Sequence, residues 1–229
     1  MIDYDSERYG PEFAASRGWI AELGKDAYRH RFGGLSWRAI DPNAVYGGPT
    51  LLLVLDLADP KLANLMARDI DELPLCSYIN CDVWHSTQAF QINPGTRTVT
   101  LISRQNDSPL PLESEDQFPN PLPEQYITLR PMNDDEIPAD KDSYWKACDS
   151  FLGGTAFIRV LGPPVWLQYV ETHKCACGLP MDYICSIGYE QYDKPAGFVP
   201  NKPFFVGEAG LYFFLCNTCL KIAVTFQSS

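Results

Sequence analysis

Two short cysteine pairs are the residues of this chain best placed to do chemistry. Cys175-Ala-Cys177-Gly178 and Cys216-Asn-Thr-Cys219 are separated by 38 residues, and the second pair lies between the strand-like runs 211–215 and 222–226. A C-x-x-C at a hairpin tip turns two thiolates toward one point, and a second pair completes the tetrahedral shell that structural zinc prefers. Soft thiolates also select Zn²⁺ over Mg²⁺ or Ca²⁺. The spacing therefore predicts a zinc site made by Cys175, Cys177, Cys216 and Cys219. With four thiolate ligands no position stays open for water or substrate, so such an ion contributes folding free energy rather than catalysis. The alternatives are four reduced thiols, an iron–sulfur centre, or a redox dithiol at Cys216 and Cys219. The last fits poorly, because a thioredoxin-type pair opens a helix within a βαβ unit. His173 could replace one thiolate but reads more simply as an outer neighbour, while Cys148 and Cys185 read as core. Cys76, Cys81 and His85 resemble half a metal site without its second pair, and core packing or a degenerate counterpart accounts for them.

Other chemistries find little support. His30, His85 and His173 are the only histidines, and none lies in a nucleophile-elbow, zincin or phosphate-cradling motif. The chain therefore reads as a non-catalytic binding module rather than an enzyme. Its net charge of −11 repels nucleic-acid phosphates and anionic membrane surfaces, so an electrostatically chosen partner is a basic protein. Residues 104–149 hold 11 acids against 4 bases and seven of the 19 prolines, and so carry −7 of that charge. Within them Asp134, Asp135 and Glu136 are the candidate partner-binding residues. Immunity proteins that neutralise cationic toxins work through such acidic faces. The competing function is an enzyme or small-ligand binder with a pocket between two halves of the chain, lined by Trp37, Trp84 and Trp166.

The elements that must position these residues follow from composition and periodicity. A chain of 229 residues with 45% hydrophobic side chains can bury a substantial core. An acidic N-terminus without an apolar run, and eight cysteines clustered as ligands or core, point to the reducing cytoplasm. Helical spacing of Phe13, Trp19, Ile20, Leu23, Ala27 and Tyr28 predicts a helix over 11–29, although Gly18 and Gly24 each weaken it by about 1 kcal/mol. A buried strand is expected over 51–57, then a helix after Asp59-Pro60 carrying Leu62, Leu65, Met66 and Ile70. Strands over 77–83, 88–92 and 96–102 follow, the last two joined by a turn at Asn93-Pro94-Gly95. A short helix over 143–151 leads to strands over 156–160, 166–170, 181–187 and within 211–226.

An order of parts recurs along the chain. Phe32-Gly33-Gly34 with Trp37 parallels Leu152-Gly153-Gly154 with Trp166, and the strand 51–57 parallels 181–187. The expectation is an α+β fold of two duplicated, β-rich halves packed together, with the four-cysteine metal site in the second. The divisions are 1–103, an acidic Pro-rich connection 104–151, and 152–229. Gly153-Gly154, Pro164-x-Trp166-x-Gln168, Cys175-x-Cys177-Gly178-x-x-Met181 and Gly210-Leu-Tyr-Phe-Phe-Leu-Cys216-x-x-Cys219 resemble the bacterial YwqG-like family of uncharacterised proteins. The second half is also similar to the C-terminal part of programmed cell death protein 2. The match covers 152–226 and departs from the family at the first pair, which is C-x-C here rather than C-x-x-C. The resemblance implies two β-rich repeats, and it carries over no catalytic residue.

Overall fold

Leucine, β-branched and aromatic runs recur along the chain, and the computed structural model places 38% of the described residues in strands or isolated bridges and 13% in helical turns. Residues 8–44, 47–65, 70–82, 87–105 and 110–228 are described. The expectations that rest on Met66, Val83, Trp84 and His85 fall outside them. Among the described residues no helix is long and apolar enough to cross a membrane.

Thirteen strands are described. The first five are β1 (Gly18–Leu23), β2 (Arg31–Phe32), β3 (Arg38–Ile40), β4 (Thr50–Asp56) and β5 (Glu72–Ser77). The hairpin β6 (Gln88–Asn93) and β7 (Thr98–Arg104) follows, then β8 (Gln125–Pro131) and β9 (Ile158–Leu161). The last four are β10 (His173–Lys174), β11 (Pro180–Ile187), β12 (Ala209–Cys216) and β13 (Lys221–Ser228). Twelve of them form one path in the order β3-β7-β6-β13-β12-β11-β9-β1-β8-β2-β4-β5, and β10 adds to β11. Only β3–β7 is a parallel pair among these ladders. The path curls into a nearly closed barrel. Glu72, on the last strand of the order, fastens the seam. Its carboxylate accepts from Trp37 Nε1 at 2.9 Å and from Arg97, the residues that immediately precede β3 and β7 at the other end.

This topology corrects the expected α+β fold with duplicated halves. Neither half closes a sheet of its own: β13 pairs with β6, and β1 is hydrogen-bonded between β9 and β8. First-half strands thus flank the second-half block on both sides, and the halves join through backbone ladders rather than by packing faces. The acidic segment itself supplies β8 and the helix α2 (Lys141–Phe151). The helix expected over 11–29 is also replaced. A four-residue helix α1 (Pro11–Ala14) stops early, and Gly18–Leu23 forms a strand paired on both edges. Gly18 lies close to its neighbours: a Cβ there would lie 2.6 Å from the end of the Met132 side chain and 3.0 Å from the Gly162 Cα. After Asp59 the chain makes a 3₁₀ helix, Pro60–Leu65, and no strand forms over 166–170.

The core explains why β12 reads as a continuous apolar run rather than an alternating one. Leu211, Phe213 and Leu215 face the barrel interior with Leu52, Val54, Phe90 and Val224. Tyr212 and Phe214 face a second cluster, where Trp166 stacks on them beneath Tyr144, Ala147, Cys148 and Phe151 of α2. The hairpin β12–β13 is buried on both faces along nearly its whole length. Two of the metal-ligand candidates, Cys216 and Cys219, sit at its tip.

Candidate metal centre

Two hairpins deliver the four cysteines to one place. β10 pairs with β11 through His173↔Met181 and Lys174↔Pro180, leaving 175–179 as the tip. That tip is closed by Cys175 N–H donating to the Leu179 carbonyl at 2.9 Å and Gly178 N–H donating to the Cys175 carbonyl at 2.8 Å. Gly178 has φ +89°, and nothing would crowd a Cβ there, so backbone conformation rather than space calls for glycine. β12 and β13 run in register from Ala209↔Ser228 to Cys216↔Lys221, leaving 217–220 as the second tip. Since β11 also pairs with β12 through Asp182↔Leu215, both tips emerge at the same end of the sheet. Asn217 Nδ2 donates across them to Asp182 at 2.9 Å.

The four sulfurs of Cys175, Cys177, Cys216 and Cys219 all lie within 4.8 Å of one another. Cys177 and Cys216 Sγ are 3.7 Å apart. Tetrahedral zinc with bonds of about 2.3 Å needs sulfur–sulfur edges of about 3.8 Å, so the cluster fits an ion with small adjustments. Cys175 and Cys216 are buried, Cys219 is half-buried and Cys177 is exposed. The electrostatics match the geometry. The Leu179 backbone N–H, together with Cys219 and Cys175, draws the Cys177 thiol down to about 7. Burial pushes Cys216 up, and its hydrogen bond to Cys177, reinforced by burial, pushes Cys219 up to about 12. One sulfur gives up its proton readily and its neighbours then resist, an impasse that a divalent cation among the four relieves. These four cysteines can hold a metal ion.

Further residues position the site that spacing alone did not identify. Gln91 on β6 donates from Nε2 to the carbonyls of Cys219 at 2.9 Å and Leu220 at 3.3 Å, and Ile92 N–H donates to Leu220 at 2.9 Å. These bonds hold the C-x-x-C tip although Leu220 has φ +53°, a left-handed conformation costing about 1–2 kcal/mol in a non-glycine residue. Gln91 carried no sequence signal beyond being a polar position on an alternating strand.

Other candidates fall elsewhere. His173 directs Nε2 to Glu171 at 3.0 Å and packs its ring against Phe214, outside the sulfur cluster. Cys76, Cys148 and Cys185 are buried, and burial pushes each thiol up, which suits inert core residues. Trp37 and Trp166 are core residues of two different clusters. The acidic triad divides: Asp134–Glu136 form one 3₁₀ turn in which Glu136 faces inward and accepts two hydrogen bonds from Arg130, at 2.6 and 2.5 Å. Asp135 faces outward and pairs with Lys146 at 2.8 Å, and Asp134 is exposed. Of the three candidate partner-binding residues, Asp134 and Asp135 are therefore exposed and Glu136 is buried. No protein-family model, curated protein or solved structure matches the chain.

Proposed function

We propose that this protein is a non-catalytic binding module stapled by a structural zinc ion, and that its partner is a basic protein. The closed four-sulfur cluster carries the reading: every ligand is a cysteine of the chain, so the ion would join the β10–β11 tip to the β12–β13 tip and leave no position for a reacting molecule. The ion would supply folding free energy at that end of the sheet. The net charge of −11 supports a cationic partner, and Asp134 and Asp135 are the two exposed members of the acidic triad. Eight cysteines that make no disulfide suit a reducing compartment, the cytoplasm. An immunity protein that occludes a cationic toxin has these properties.

Capture from the native host at graded ionic strength tests the partner. The expected result is a single partner of high isoelectric point that elutes as salt screens charges beyond about 8 Å. Charge reversal at Asp134 and Asp135 should slow its association with little effect on dissociation. An acidic partner, or an affinity indifferent to salt and to both charges, would refute the reading. Glu136 is left out of that test because it is buried and removing it takes two hydrogen bonds from Arg130, leaving only Glu22 as its carboxylate partner and perturbing folding.

A further inference from the structure

A cavity of about 480 Å³ lies between residues 78–81 after β5, the strap 112–116, and the connection 192–207 that leads from β11 to β12. Its walls are preformed. Asn80 clasps Phe118 by both backbone groups, Nδ2 donating to its carbonyl at 2.8 Å and Oδ1 accepting from its N–H at 2.7 Å. On the opposite wall the Glu190 carboxylate, 1% exposed, accepts from the backbone N–H groups of Gly197, Phe198 and Phe204 at 3.1, 3.3 and 2.6 Å. Lys202 ties the walls together, its Nζ donating to the Glu115 and Gln117 carbonyls at 2.8 and 3.2 Å. A volume in this range accommodates a small molecule.

The lining states what kind. Leu112, Leu211 and Phe226 supply apolar surface, Phe205 is partly exposed, and Tyr192, 82% exposed, stands at the mouth. The charges facing this space are unequal. The Lys202 ammonium is occupied by two carbonyls and the Phe118 ring, 4.6 Å away. The Tyr78 hydroxyl is occupied by Asp41. The side chains of Glu115 and Asp116 are exposed and make no ion pair among the described residues. An apolar ligand would leave these carboxylates to water, and an anionic one would be repelled. A cationic head beside an apolar body satisfies the carboxylates, the ring faces and the apolar wall together.

We propose that this cavity binds a small amphipathic ammonium, with Glu115 and Asp116 taking the charged head, Tyr192 and Phe205 flanking it, and the apolar body lying against Leu112 and Leu211. The site is separate from the metal ligands and from Asp134 and Asp135, so its failure and that of the basic-partner reading are distinguishable.

Calorimetric titration of the native protein with n-hexylammonium, 1-hexanol and hexanoate tests it. Hexylammonium should bind most tightly and hexanoate least, and affinity should rise about three- to four-fold per methylene from butyl- to octylammonium. Glu115→Gln with Asp116→Asn should weaken hexylammonium roughly three- to ten-fold while leaving hexanol unchanged. Leu112→Trp should block all three probes by filling the cavity. Both substituted carboxylates are exposed, so the charge variant folds and remains decisive even if Leu112→Trp does not. Hexanol binding as tightly as hexylammonium, a preference that survives the charge variant, or no saturation by any probe at millimolar concentration would overturn the proposal.

Discussion

Replacing Glu190 by glutamine changes one atom of a buried side chain and should cost more than most surface truncations. In the native loop Oε1 accepts from Gly197 and Phe198, and Oε2 accepts from Phe204 at 2.6 Å. Glutamine keeps the volume but presents an NH₂ group to at least one of these N–H donors, so a charge-assisted bond worth about 1.5–3 kcal/mol is lost. The bonds that survive become neutral and roughly half as strong. Relief of the carboxylate's own desolvation offsets part of this, leaving a net cost of about 2–3 kcal/mol. For a chain of this length that corresponds to a fall in Tm of about 4–12 °C. Urea denaturation at constant slope reads the difference directly, and Glu190→Ala should be at least as destabilising because three donors then face an empty space. If Glu190→Gln lay within about 0.5 kcal/mol of the wild type, the claim that this carboxylate organises the 190–204 connection would be wrong.

Gln91→Ala should leave the sheet intact while loosening the C-x-x-C tip, increasing metal release to a chromogenic chelator by about 10- to 100-fold; unchanged release would show that the tip holds itself. The acid limb of stability has an identifiable source. Burial alone would raise the Asp59 carboxyl, but the Lys61 backbone N–H, the His30 ring and the Lys61 charge together hold it below the ordinary carboxylate range. Burial likewise opposes, and Arg130 with the Asn133 N–H outweighs, in lowering Glu136. Groups with depressed folded pKa values stabilise fully above about pH 4–5 and lose that contribution as pH falls through the folded value. Asp59→Asn should therefore be less stable than wild type at pH 7, with the gap between their urea midpoints narrowing toward pH 3; a constant gap would contradict the assignment.

The hairpins were legible because their information is local. Alternation in β6 and β7, the Asn93-Pro94-Gly95 turn, and apolar runs on either side of a C-x-x-C each depend on a few neighbouring residues. The convergence of the four cysteines was legible for the same reason, since two short pairs beside strand runs point to a shared site before any topology is known. Strand order was not. Pairing of β6 with β13, and insertion of β1 between β9 and β8, join residues more than a hundred positions apart, and nothing in either strand names its partner. The repeated glycine-pair and strand pattern reflected recurring turn chemistry rather than repeated units. Trp19, Ile20 and Leu23 also satisfy helical spacing, and two paired edges outweighed that weak preference. Glu136 misled because a run of three acids reads as a solvated face, whereas the 3₁₀ turn carries its third member inward to Arg130.

The central claim is that one zinc ion occupies a closed shell of four thiolates, and X-ray absorption at the zinc edge on protein purified without added metal tests it most directly. The account predicts one zinc per chain with four sulfur neighbours at about 2.3 Å, lost together when Cys216→Ser and Cys219→Ser are combined. Metal-free native protein of full stability, or a zinc shell containing nitrogen or oxygen ligands, would contradict it.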